Sequence, residues 1–260
     1  MSEVLLVAGF HRSGTSLVTQ LLNKAGLFVG ETLLQPLRSN PYGHFEDSEV
    51  VTIHEQILED NGLDWQVTGR PVMSITPARW RSIESLVARR RTAHRLWGFK
   101  DPRLCLFLPL WKHVMPEARV LVVFRHYADC VHSLERRHAE QLMEAFGGET
   151  IHRAFFQQPD LALRMWLSQN EFLLAFADRY PDDVHGVSFE TVRAGYPLVS
   201  ALVDRWSLAL RPTSTLEVFD PTVTSDRSHP LPVADRDLGT RLEPMMARLR
   251  DLEAAGRERV

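Results

Sequence analysis

Unbroken apolar runs alternate along this chain with segments of helical spacing, and the alternation predicts its elements. Residues 4–8 are apolar at every position, which predicts a parallel strand buried on both faces. Leu17, Leu21, Leu22 and Ala25 then share one helical stripe that stops at Gly26. The intervening residues 9–16, GFHRSGTS, are a glycine-bounded loop from strand to helix. Further helices are predicted over residues 49–58, 79–91, 104–114, 129–137, 135–146, 161–180 and 198–210, with a charged helix from residue 234 onward. Apolar runs predict strands over 96–99, 120–124 and 184–189. Proline, glycine and polar clusters mark loops at 31–40, 67–78 and 219–230, and Gly147-Gly148 a connection, so that residues 147–159 read as loop. Strands and helices in this order predict an α/β fold, a three-layer parallel sheet with helices on both faces, formed as one domain over residues 1–260.

Composition narrows the function. A net charge of −3 gives no general attraction to nucleic acid, so anions must be held by local clusters. The two cysteines, Cys105 and Cys130, lie in apolar or helical contexts and read as buried thiols of a reducing compartment. The first strand begins within a few residues of Met1, and no apolar run reaches membrane-spanning length; the expectation is a cytoplasmic protein without membrane insertion. The aromatics of 161–180, Trp166 and Phe176 among them, read as core, and the arginines of 79–91 as a solvated face.

The chemistry gathers at strand ends. A loop that presents backbone N–H groups at a helix N-terminus, with the dipole behind them, is a phosphate cradle. This one nearly fits GxxxxGK[ST], with Gly9, Gly14 and Ser16 correctly spaced, but Thr15 replaces the lysine and a cation stands instead at Arg12. Lys100 follows the strand at 96–99, and Arg125 follows 120–124, where a magnesium-dependent phosphotransferase commonly places an aspartate. Ser133 is near enough to Arg125 for the two to hold one phosphate. Glu31, His44, Glu46 and Asp47 are titratable groups of the loop after the first helix, and Arg227 is a further cation in the loop 219–230. A metal-dependent P-loop kinase and a non-catalytic nucleotide-binding protein are the alternatives to a transferase that works without metal.

Together, GFHRSGTS with Gly30-Glu31-Thr32, the KDP at Lys100 to Pro102, and RVLVVFRHYADCVHSL from Arg119 to Leu134 resemble the sulfotransferases that use 3′-phosphoadenosine 5′-phosphosulfate (PAPS), nearest to the tyrosylprotein and related bacterial enzymes. The resemblance implies a P-loop-type 5′-phosphosulfate loop in which Arg12, Ser13, Gly14, Thr15 and Ser16 bind the donor, with Arg125 and Ser133 on its 3′-phosphate; Arg227, in a polar loop read as able to close over a ligand, is a further candidate donor contact. It implies that Lys100 stabilises the transferring group, that PAP is the product and that no metal takes part. Its general base aligns with Glu31, with His44 and Glu46 as rivals. Pro102 and Arg103 stand where small-molecule sulfotransferases carry a catalytic histidine, so that mechanism is not implied. The acceptor implied is a hydroxyl of a carbohydrate, glycolipid or secondary metabolite, with no nucleic-acid partner.

Overall fold

The structure, a computed structural model, describes residues 2–35, 43–144, 150–219 and 230–259. Four strands, β1 (Glu3–Ala8), β2 (Leu96–Trp97), β3 (Arg119–Phe124) and β4 (Val184–Ser188), form an all-parallel sheet in the order β2-β1-β3-β4. Each strand's alternate residues enter opposite layers, which is why the runs carry no polar alternation. Val4, Leu6 and Ala8 pack with Val120 and Val122 on one face. Leu5 and Val7 pack with Leu121, Val123 and Val187 on the other.

The first face is covered by α2 (Ser48–Asp60), α3 (Pro77–Ala93), α4 (Leu104–Val114) and α7 (Leu161–Arg179). The second is covered by α1 (Thr15–Lys24) and α9 (Leu198–Trp206). The expected three layers are present. A third apolar cluster joins α5 (Tyr127–Glu144), α6 (Thr150–Gln157) and α7 to the last helix, α10 (Arg236–Glu258). The tail helix is anchored on β4, where Glu253 accepts from the Ser188 backbone N–H at 3.1 Å.

Several boundaries differ from the sequence reading. Helical segments expected at 129–137 and 135–146 are one continuous α5, and β2 is two residues long, continued only by a bridge between Val7 and Lys100. Residues 150–157, read as loop, form α6, and a short α8 (Phe189–Arg193) follows β4 directly because Ser188 caps it, accepting from the Thr191 N–H at 3.1 Å. Helix α9 stops at Trp206, where Ser207 turns left-handed with φ 54°, and does not reach Leu210. Gly147 and Gly148 lie outside the described residues.

The strand order fixes where chemistry can sit. The chain leaves β1 for β2 on one side and returns to β3 on the other, so the switch point opens between the carboxyl ends of β1 and β3. The loop 9–16 follows β1, Arg125 follows β3, and Lys100 follows β2 at the same edge.

Candidate functional site

The loop after β1 is shaped by two glycines. At Gly9 a Cβ would lie 2.2 Å from the Val123 carbonyl oxygen, so only glycine lets the loop leave the sheet this close to β3. Gly14 has φ 92°, and a Cβ there would meet the Phe189 ring at 2.3 Å. Arg12 is also left-handed, at φ 66°, a conformation costly for a residue with a side chain and concentrated at ligand sites. Helix α1 starts at Thr15 with no side-chain cap, which leaves its first N–H groups without a side-chain acceptor. The Ser13 hydroxyl is shut off from solvent with no hydrogen-bond partner among the described residues. Together these make an anion cradle of backbone donors, one orphaned hydroxyl and a cation.

At the next strand end Lys100 is 1 % exposed and its ammonium donates to Glu46 Oε1 at 2.7 Å and to Ser16 Oγ at 3.3 Å. Ser16 in turn donates to the His44 carbonyl at 3.2 Å. Glu46 is held firmly from behind. Its carbonyl accepts from the Leu34 N–H at 2.9 Å, the Ser48 N–H reaches the Thr32 carbonyl at 2.9 Å, and Asp47 caps α2 through the Glu49 N–H at 3.0 Å. The neighbouring segment is braced too. Trp111 donates through Nε1 to His54 Nε2 at 2.8 Å, which leaves the His54 proton on Nδ1 for Asp101 at 2.9 Å. Burial would raise the Asp101 carboxyl, but the adjacent Arg103 and His54 hold it far below the usual carboxylate range.

Glu31 is placed elsewhere. Its side chain is 73 % exposed and accepts from Arg90 at 2.7 Å, while the same guanidinium reaches Asp47 at 2.8 Å. Arg90, read as part of a solvated face, is 4 % exposed and lies over the Phe28 ring at 5.0 Å. Glu31 therefore fastens the outside of the turn whose inside carries Glu46. His44 lines the same cavity as Glu46, its imidazole pushed down to about 4 by burial and then by the charges of Lys100, Arg137 and Arg12.

Arg12 and Ser133 are brought together across the chain, the guanidinium Nε donating to the hydroxyl at 2.9 Å. Arg125 is 7 % exposed, stands over the Phe189 ring at 4.9 Å and lies 3.6 Å from Asp129 and 4.0 Å from Glu190. One ring of α8 thus spaces the glycine of the first loop from the cation of β3. Arg227 lies outside the described residues.

Beside the Lys100–Glu46 pair opens a cavity of about 420 Å³, lined in part by His11, Trp65, Pro102, Arg137, His138 and His152. Helix α5 contributes Leu134, Arg137, His138 and Gln141, spaced three, four and seven residues from the first, the signature of one helical face. That spacing is present in the sequence, and it is the signal by which this wall was findable. Trp65 stacks on His138 at 5.5 Å and contacts His11 at 4.8 Å, and His138 shares a 2.6 Å Nδ1–Nδ1 contact with His152 of α6. Burial, then His152 and nearby arginines, push His138 down to about 3, and burial holds His11 well below its usual range, so both are neutral near pH 7.

Known proteins share the family and the fold. The family model described as "Sulfotransferase family" matches residues 5–195. The fold is similar to that of a sulfotransferase from Alicyclobacillus acidocaldarius, with a TM-score of 0.51 and 16 % identity over 99 % of both chains. It is also similar to the sulfotransferase STF1 of Mycobacterium tuberculosis H37Rv, with a TM-score of 0.50 and 16 % identity over 96 % of this chain and 77 % of that one. No curated protein matches the chain in sequence.

Proposed function

The chain belongs to the sulfotransferase family, and from that premise we propose that it transfers a sulfuryl group from PAPS to the hydroxyl of a small-molecule or glycan acceptor, with Glu46 as the base. The residues present fit such a donor: two close-approach glycines, an uncapped helix start and the orphaned Ser13 hydroxyl form a cradle for its phosphosulfate. When bound, PAPS supplies a sulfuryl group that passes in line from phosphate oxygen to acceptor oxygen. The observation that carries the reading is the position of Lys100, whose one ammonium spans Ser16 of the cradle and Glu46 of the cavity wall.

In this reading Lys100 and Arg12 stabilise negative charge on the cradle side, and preorganised donors in a site shut off from water do so effectively. Glu46 receives the proton of the acceptor hydroxyl at Oε2, Oε1 being held by Lys100, while the short ladder with residues 32–34 keeps its carboxylate in place. Ser133 orients Arg12, and Arg125 supplies charge for the 3′-phosphate from the end of β3. Glu31 is set apart by position, 73 % exposed and turned to Arg90 on the outside of the turn, whereas Glu46 and His44 line the cavity.

Conversion of PAPS to PAP across a panel of phenols, sugars and aliphatic alcohols tests the assignment. Wild type is expected to give sulfated product, and Glu46→Gln to lose about 10²–10⁴ in turnover with PAP affinity retained. Turnover that survives in Glu46→Gln but is lost in Glu31→Gln would return the base to Glu31.

A further inference from the structure

We propose that the acceptor carries a carboxylate in addition to its hydroxyl, and that Arg137 is the residue that selects it; the inference rests on the sulfuryl-transfer reading above. At about 420 Å³ the cavity suits a single small molecule. Its charges do not balance. Lys100 is paired with Glu46 at 2.7 Å, and Arg103 with Asp101 at 2.8 Å and Glu55 at 2.6 Å. Arg137 makes no ion pair among the described residues, and its Nε is shut off from solvent with no hydrogen-bond partner. Glu46 is a carboxylate whose field reaches Arg137, and it is already taken by Lys100.

A guanidinium stays charged at any working pH and presents a planar fork matched to a carboxylate. Partly stripped of water at the edge of a cavity, it gains most from a ligand that brings the missing anion. The surrounding imidazoles, His11, His44 and His138, are held neutral by burial and by the neighbouring cations, and so neither supply an anion nor add positive charge beside Arg137. The Nε2 atoms of His11 and His138 and the Oε1 of Gln141 are, like the Arg137 Nε, shut off from solvent and without a hydrogen bond among the described residues. Its apolar surfaces are Trp65, Pro102, Leu34 and Leu134. A flat or apolar body carrying a hydroxyl at one end and a carboxylate at the other fills these requirements, with the hydroxyl at Glu46 and the carboxylate at Arg137. A phenolic or similarly rigid hydroxy acid is the matching class.

The test is calorimetric titration of the full chain, saturated with PAP, with para-hydroxyphenylpropanoate and with its methyl ester. Wild type is expected to bind the acid about tenfold or more tightly than the ester. Arg137→Gln should equalise the two, Arg137→Lys should keep part of the preference, and affinity for PAP should be the same in all three. Equal affinity for acid and ester in wild type, or no binding of either, overturns the assignment. So does a loss of PAP affinity in Arg137→Gln equal to that in Arg12→Ala, which would make Arg137 a donor contact. A wild-type chain that does not bind PAP at all would bring down the donor reading itself, and this inference with it.

Discussion

The proposed donor cradle takes its groups from three strand ends, whereas part of the cavity wall beside it is built by the consecutive helices α5 and α6 and by Trp65 from the segment after α2. Residues 9–16, Lys100 and Arg125 each follow a strand of the same parallel sheet, so the sheet delivers them to one edge whatever the helices do. Trp65, Arg137, His138 and His152 meet only because α5, α6 and the segment after α2 pack together. Strand ends tolerate little change of position, and helix faces can be redecorated one residue at a time. Such a division lets one chemistry serve many acceptors.

The sharpest way to break this comparison is to move the chemistry across the boundary between the two regions. Lys100 and Glu46 stand on that boundary, and Glu46→Gln should produce the largest loss, about 10²–10⁴ in turnover. Glu31→Gln, on the outside of the same turn, should leave turnover within about twofold, since its surface pair with Arg90 is of a kind worth little. Steady-state PAPS consumption compares the two. Lys100→Met is expected to cost about 10²–10³, the range for removing one preorganised charge-stabilising donor.

Within the cradle the effects should fall on binding. Arg125→Ala should weaken PAP by about ten- to a hundredfold, the worth of charge-assisted hydrogen bonds, while AMP binding, measured in parallel, changes little. Gly14→Ala combines a left-handed φ with a Cβ only 2.3 Å from Phe189, and it should lower both melting temperature and PAP affinity. Pairing it with Phe189→Ala should lower the melting temperature by less than the two single changes summed, because the second change removes the clash of the first.

The smallest effect belongs to the cavity, and it concerns pH. His138 and His44 titrate near 3 and 4 in the folded chain, against about 6.5 when unfolded. Between those values the unfolded state binds more protons, so stability is highest above about 6.5 and falls as the pH is lowered through the window. His138→Phe should flatten the fall in melting temperature between pH 6.5 and 4, since the ring keeps its place on Trp65 and Phe155 and no longer has to be held neutral.

The same division explains what the sequence made legible. The strands, the cradle and the three cations at the sheet edge are contiguous motifs, and an apolar run followed by a charged residue reveals them without tertiary information. Helix α6 escaped because it is eight residues long and follows two glycines, so its stripe of Ala154 and Phe155 is too short to stand out. Arg137 and His138 were hidden in a run of charges that reads as a solvated face until α6 and Trp65 are placed against it. Glu31 and Glu46 show the limit most clearly. Both belong to the segment after the first helix, and only the ladder between residues 32–34 and 46–48 turns one toward Lys100 and the other toward Arg90.

The most direct test of the central claim is calorimetric titration of the chain with PAP in the presence of a chelator, beside ADP with magnesium. Micromolar binding of PAP that is indifferent to metal, and weaker binding of the magnesium nucleotide, is the result expected of a cradle that holds its anion with Arg12, Lys100 and backbone N–H groups. A preference for ADP with magnesium would contradict it, and would make the loop after β1 the phosphate site of a kinase.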